Sequence, residues 1–570
     1  MPPENDSSRQ QADADARALN CVVVLAPRGA AADALERIVP GAARGGYYVR
    51  SADRLALAVK PSARAVTLRS DESRDVILMG NLACERTPAA KALDWAIAAL
   101  DAGRLDDLKM LQGVFAIVLV DWSARTTTVV TDLLGMRPAY VARREGLTVL
   151  SDRAEASCRL GGGRVDPLAL ACWIYMNMIV GNRTMFESVE RIAAASVTTF
   201  GGESPGGQTY WTPRVAEEPI ALDDLIDAVY GDFERSLARL LEPYDAATSL
   251  LSGGFDSRLC LLTALHLGRV KLDAVTVPLS DGDRQVIGKL VEMTGVPWRR
   301  AEIRGSIWDE YESVWHYHPD GYPVTKNLTY LCVTRLGRPG PFVDGSNSDS
   351  VLRSLRAWPE EHPPDERTAR QFVWKLHTRS RPDVFLRPGA AAELERRARQ
   401  VADEQSDAMG FSSKFCLLWD ICTDERRHTS LNHLQYSHLA PSVQPFYDRR
   451  LLERRLIHPH SVYTEEAYRT MLKRRFPGPG GLPHAGELPA GRSRVYRFSR
   501  TVWKRVPAAL RFVHRHRDVL KQRWLLPRVG SYGLGRRSHM YVVLGLLRLM
   551  ELEEDLNRCG IGLDLTGEGS

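Results

Sequence analysis

Nine cysteines occur in 570 residues, at positions 21, 84, 158, 172, 260, 332, 416, 422 and 559, and none forms a C-x-x-C pair. Structural zinc sites and dithiol redox motifs need such spacing, so neither is implied. Several of the nine sit in apolar runs such as Leu170-Ala171-Cys172-Trp173 and read as buried free thiols of a reducing compartment, the cytoplasm. No run of eighteen apolar residues occurs, which argues against a membrane helix. The first residues carry Glu4, Asp6, Asp13 and Asp15 in place of the basic and apolar regions of a secretion signal, so 1–19 is expected to be a loose tail. A Walker loop is also missing, because no Gly-Lys-Ser/Thr ends a glycine-rich turn.

What remains is ordinary in bulk: 44% hydrophobic, 26% charged, formal net charge +6. Such a chain buries real cores, and its length exceeds the roughly 100 to 200 residues of one domain. One asymmetry stands out. Residues 492–537 hold fourteen Lys and Arg against a single acid, Asp518. A solvated arginine-rich face accounts for it most simply; the aromatics there (Tyr496, Phe498, Trp503, Phe512, Trp524) are spaced as helix-core positions, which disfavours a nucleic-acid platform.

From about 20 to 211 short β-branched runs bounded by turn residues predict strands at 21–26, 75–81, 114–122, 127–132 and 147–151, with helical spacing over 88–103. This is a layered α+β domain. Ser204-Pro-Gly-Gly-Gln followed by Thr209-Tyr-Trp-Thr-Pro reads as its boundary. From 218 to 570 helices alternate with brief strands: helix 221–242, strand 247–252, helix 257–268, strand 272–277. That order predicts a doubly wound parallel sheet, which binds ligands at the carboxyl ends of its strands. The Pro- and Gly-rich stretch 477–491 reads as a mobile loop.

Ser252-Gly253-Gly254-Phe255-Asp256-Ser257 falls at such an end, between strand and helix. Its glycines let backbone N–H groups face an anion at the helix N-terminus, and Ser252 and Ser257 add hydroxyls. A carboxylate beside a phosphate makes sense with a cation between them, so Asp256 predicts Mg²⁺. A second cluster, Asp344-Gly345-Ser346-Asn347-Ser348-Asp349, follows the apparent strand 341–344.

The full string Leu250-Leu251-Ser252-Gly-Gly-Phe-Asp256-Ser257 resembles the pyrophosphate loop of the ATP pyrophosphatase superfamily, and the second cluster resembles the Gly-x-Gly-x-Asp segment of asparagine synthetases. In the same order come Gly113-Val-Phe-Ala-Ile-Val-Leu-Val-Asp-Trp122, Thr131-Asp-Leu-Leu-Gly-Met-Arg-Pro-Ala-Tyr140, Gly181-Asn-Arg-Thr-Met-Phe186, Gln444-Pro-Phe-Tyr-Asp448 and Arg469-Thr-Met-Leu-Lys473. The resemblance implies a class II glutaminase-like α+β domain followed by an α/β ATP pyrophosphatase domain. It implies ATP contacts at Leu251, Ser252, Gly253, Gly254, Asp256, Ser257, Val275, Asp283, Gly345 and Ser346, with Asp256 and Asp349 sharing Mg²⁺.

Two departures from that family shape the functional expectation. Its glutamine-using members begin with a cysteine whose free amine acts as base, whereas here the chain reads Met1-Pro-Pro-Glu, Cys21 lies inside a strand, and Gly80-Asn81-Leu82 stands where the glutamine-binding string is expected. The first domain therefore reads as a degenerate glutaminase. The Arg-x-Lys-Gly lysine near the α-phosphate is also missing; Arg492, Arg494 and Lys473 are its candidate replacements. Before the Pro-Phe box, Leu439-Ala-Pro-Ser-Val443 lacks the family's Glu and Arg, which favours a larger substrate. The pattern is most similar to lasso-peptide cyclases, implying a precursor peptide and a leader peptidase or recognition protein as partners. A stand-alone amide ligase resembling asparagine or β-lactam synthetase, and a silent nucleotide-binding scaffold, are the alternatives.

Overall fold

In the computed structural model, residues 19–27, 29–61, 66–161, 163–202, 206–277, 280–300, 315–325, 330, 333, 341–346, 348–352, 365–378, 386–437, 440–488, 506–521, 525, 540–558 and 561–565 are described. The first half rests on alternation. In β1 (Cys21–Leu25) all five residues are buried, because Cys21, Val23 and Leu25 face a second sheet while Val22 and Val24 face helices. Around β1 the strands β2 (Tyr48–Ala52), β3 (Leu55–Val59), β8 (Tyr140–Arg144), β9 (Leu147–Ser151) and β10 (Val189–Arg191) form an antiparallel sheet of order β10-β8-β9-β1-β3-β2. The second antiparallel sheet runs β12 (Gly206–Thr209), β11 (Ser196–Gly201), β7 (Thr126–Thr131), β6 (Phe115–Asp121), β5 (Arg74–Gly80), β4 (Val66–Ser70).

Between the sheets lies an apolar layer of Val23, Leu57, Ile77, Met79, Val118 and Val129. Helix α1 (Ala31–Ile38), with α3 (Pro167–Met176), covers the outer face of the first sheet, and α2 (Ala92–Asp101) that of the second. Helix, sheet, sheet and helix thus stack in four layers.

The second half is built differently. Strands β13 (Ala246–Leu250), β14 (Lys271–Thr276), β15 (Trp298–Arg300), β18 (Phe342–Val343) and β19 (Ser442–Val443) make a wholly parallel sheet of order β15-β14-β13-β18-β19. Parallel pairing agrees with the expected architecture. The chain runs outward from β13 through β14 to β15, then returns to place β18 on the other flank of β13. The loops after β13 and β18 therefore leave adjacent carboxyl ends on either side of a topological switch point, where such sheets bind ligands. Helix α4 (Leu222–Leu241) buries Leu225, Phe233 and Leu237 in a core shared by this sheet and the second antiparallel sheet.

An isolated hairpin, β16 (Trp315–His318) with β17 (Tyr322–Thr325), folds back onto the first half. There Tyr140 donates to Asp320 at 2.6 Å and the Ala154 N–H donates to the Pro319 carbonyl at 2.8 Å. Among the described residues no helix is long and apolar enough to cross a membrane.

Two expectations are corrected. Gly206, Gly207 and Gln208, read as punctuation, pair with Thr199, Thr198 and Val197 as the edge strand β12. Irregular structure begins only after Thr209 and continues to α4. The stretch read as a mobile loop is packed through Leu488, with short 3₁₀ turns at Pro479–Gly481 and Ala485–Glu487; its partners are given below. Arg258 and the loop of residues 252–254 hold it, and no sequence-local signal marks such distant partners.

Candidate functional site

The chain leaves β13 at Leu250, passes Leu251 to Gly254 and enters α5 (Phe255–Leu267), two residues before the expected start. The turn is tied by its own hydroxyls. Ser257 Oγ accepts the Ser252 N–H at 3.0 Å and lies 3.0 Å from Ser252 Oγ, which in turn accepts the Gly254 N–H at 3.3 Å. The Gly253 N–H donates to Asp283 Oδ1 at 3.2 Å. Asp283 Oδ2 accepts from Ser280 N–H and Oγ–H at 3.0 and 2.8 Å, closing a capping box at the start of α6 (Asp281–Thr294). Asp283 thus braces the loop and caps a helix. Leu251 donates its N–H to the carbonyl of Val275, which is buried in β14.

The glycines differ in kind. A Cβ on Gly253 would stand 2.4 Å from Ala485 Cβ, and one on Gly345 would stand 2.9 Å from both Asp256 C and Ser257 N, so packing alone excludes side chains there. At Gly254 φ is −82°, and an added carbon would meet only Ser252 Oγ at 3.4 Å and His484 Nε2 at 3.6 Å. A methyl side chain fits at Gly254 as far as the fold is concerned. The room above it lies at the head of a thirteen-residue helix whose N-cap offers no capping side chain. Partial positive charge from the helix and hydroxyls at the rim would suit an anion there.

The close approach at Gly345 seats the second loop on the first turn of α5. Asp344 holds that loop by accepting from Ser346 N–H and Oγ–H at 2.9 and 2.7 Å and from Tyr436 OH at 2.7 Å. Asp349 falls in the short helix α7 (Ser348–Leu352), but its side chain, like all of Asn347, lies outside the described residues. From behind, Ser350 donates its hydroxyl to Asp420, and buried Arg455 donates Nε–H to the Ser350 carbonyl at 3.3 Å. Burial lowers the Arg455 guanidinium to about 10. Among the described residues no group of three or more His, Cys, Asp or Glu side chains is gathered to hold a metal ion.

Segment 482–488 covers the loop from the other side, and the sequence reading missed it. The Ala485 N–H donates to the Gly253 carbonyl at 3.1 Å; fully buried Arg258 donates to the carbonyls of Leu482 and, at 2.8 Å, Pro483. Arg469 of the helix Glu465–Arg475 stacks 4.7 Å over the Phe255 ring and pairs with Glu487. Of the three candidate basic residues, Lys473 is exposed on the same helix and bonded to nothing among the described residues, and Arg492 and Arg494 lie outside the described residues. Thus Leu251 to Ser257, Val275, Asp283, Gly345 and Ser346 share one end of the parallel sheet, while no described contact joins Lys473 to them. The nearer cations are Arg258 and Arg469.

In the first half, Cys21 faces the layer between the sheets and is 2% exposed. Its own N–H donates to Asp152 Oδ1 at 3.2 Å. Burial, then the Asp152 charge, pushes the thiol far above its usual range. It stays protonated and closed to solvent, which is unlike an activated nucleophile. Cys84, Cys260 and Cys416 are likewise buried and free, and Cys158 and Cys172 are buried.

Residues 97–211, within the four-layer half, match the family model of the glutamine amidotransferase domain. Part of the chain is similar to asparagine synthetases. It is 25% identical over 162 residues to proteins of Mycobacterium bovis and Mycobacterium tuberculosis described as glutamine-hydrolysing asparagine synthetases. The match spans 26% of this chain and 24% of each relative, about a quarter of their length. Two solved structures are also similar at 10% identity: an allosteric regulatory enzyme of purine biosynthesis and the glutamine phosphoribosylpyrophosphate amidotransferase of B. subtilis. They cover 52% and 51% of this chain and 77% and 62% of theirs, with TM-scores of 0.22 and 0.21.

Proposed function

We propose that the chain is an ATP-dependent, AMP-forming amide ligase, and that it closes a macrolactam within a precursor peptide. The observation that carries the nucleotide reading is Gly254, a glycine the fold does not need, placed where a methyl group would fill the cradle at the head of α5. Gly345 against Asp256 and Ser257 adds the neighbouring strand end to the same site. ATP and Mg²⁺ would suit this site: the N–H groups of the first turn of α5 and the rim hydroxyls for the diphosphate, and Asp256 for the ion with Asp349 as its expected second ligand, which when bound would neutralise charge on the phosphates.

In the reaction a substrate carboxylate oxygen bonds to the α-phosphorus, the bond to the β-phosphate oxygen breaks, and diphosphate leaves. An amine then attacks the acyl carbon, AMP departs, an amide forms and the amine loses a proton. Within the protein, the loop orients the diphosphate and Arg258 and Arg469 hold the covering segment in place. An amine carried on the same peptide gains from proximity, worth up to about 7 to 11 kcal/mol in well-oriented cases. The sealed thiol of Cys21 supports an amine source other than glutamine hydrolysis, and hence a degenerate first domain.

The test is to incubate the full chain with ATP, Mg²⁺ and a candidate precursor peptide, following pyrophosphate and product mass. Pyrophosphate and a product lighter by one water are expected; both should vanish in Asp256→Ala and Gly254→Ala while both variants fold. ADP and orthophosphate as products would sink the proposal. Pyrophosphate with free ammonia incorporated would retain the ligase and remove the cyclase.

A further inference from the structure

The segment covering the glycine loop carries a side chain that the sequence motifs do not include. His484 is half-buried at the head of the turn Ala485–Glu487, and its Nδ1 accepts the Gly486 N–H at 3.1 Å. A ring nitrogen that accepts holds no proton, so the ring hydrogen sits on Nε2. That Nε2 stands 3.6 Å from the place a methyl on Gly254 would take, and Ser252 Oγ stands 3.4 Å from the same point. The open volume above Gly254 is therefore bordered by an imidazole N–H and a hydroxyl.

The ring is not loosely held. Phe255 meets it edge to face with centroids 5.1 Å apart. On one side Arg258 fixes the carbonyls of Leu482 and Pro483; on the other Ala485 bonds Gly253 and Glu487 pairs with Arg469. Four independent ties place a donor over a glycine that has no structural reason to be glycine. A group placed in advance binds an anion without first having to be ordered.

We infer that His484 is a diphosphate-binding residue, its Nε2–H donating to a phosphate oxygen above Gly254. This rests on the nucleotide reading of the loop and extends it to a residue 230 positions along the chain. His484 supplies one of the donors that the expected lysine string does not.

Calorimetric titration of the full chain with ATP, inorganic pyrophosphate and AMP, each with Mg²⁺, tests it. His484→Ala should weaken ATP and pyrophosphate by roughly tenfold to a hundredfold, the range of a hydrogen bond to a charged group, and leave AMP unchanged. His484→Gln keeps an N–H donor and should recover part of the loss. Unchanged pyrophosphate affinity in His484→Ala overturns the assignment, as does an equal loss for AMP. If the wild-type chain binds neither ATP nor pyrophosphate, the nucleotide reading falls and this inference with it.

Discussion

A methyl group added at residue 345 would meet the carbonyl carbon of Asp256 and the nitrogen of Ser257 at 2.9 Å, and backbone atoms at a helix start have little freedom to retreat. Gly345→Ala should therefore cost about 1 to 3 kcal/mol of stability, as overpacking does, and lower the denaturant midpoint accordingly. Gly254→Ala should leave that midpoint within error of wild type. Equal midpoints for all three proteins would mean that the two loops are not seated on each other as described. The sequence marks both glycines as special without separating their reasons. Gly254 is legible because serines and an aspartate surround it between a strand and a helix. The packing need of Gly345 is not, since its partners sit about ninety residues earlier. His484, Ala485 and Arg258 were missed on the same ground: Arg258 meets Leu482 across 224 positions.

At the scale of elements, the seam between α5 and segment 482–488 hangs on Arg258, whose burial lowers its guanidinium to about 10 yet leaves it charged at neutral pH. Arg258→Gln shortens the donor and removes the charge, so the carbonyls of Leu482 and Pro483 lose charge-assisted bonds worth about 1.5 to 3 kcal/mol together with their desolvation. Hydrogen exchange of a peptide spanning 479–488 should speed up in this variant while that of β13 stays slow. Unaltered exchange in 479–488 would show that the seam stands without Arg258. The strand Leu147–Ser151 is legible with its boundaries intact, because Gly146 and Asp152 bracket a short apolar run whose last three residues are buried. The twenty-two-residue helix Pro388–Met409 is not legible in the sequence because its apolar stripe is mostly alanine amid Arg and Glu. Its weak hydrophobic signal is offset by direct contact with α3, where Tyr175 OH bonds the Ala391 carbonyl at 2.7 Å.

For the whole molecule, buried His433 reports on how the halves sit together. It lies in the field of Arg137 and Arg191 from the first half, and burial, then Arg137, lowers its imidazole to about 3. In the folded chain it stays neutral near pH 5, while the unfolded chain, with an ordinary value near 6.5, takes up a proton. Its contribution is thus complete above about pH 6.5 and is lost as pH falls from there toward 3, by at most about 1.4 kcal/mol per pH unit. His433→Gln should show a shallower fall in Tm between pH 7 and 4 than the wild type; parallel curves would place the ring outside that field.

One interior cluster runs from Val22 and Val24 of β1 through Trp173 to Tyr322, Ala398 and Trp419 of the second half. A fragment cut between residues 209 and 222 would present these side chains to water, inviting association with whatever apolar surface is at hand. Whatever chemistry its own interior carries, the sandwich thus also serves as the apolar wall against which the second half closes its core.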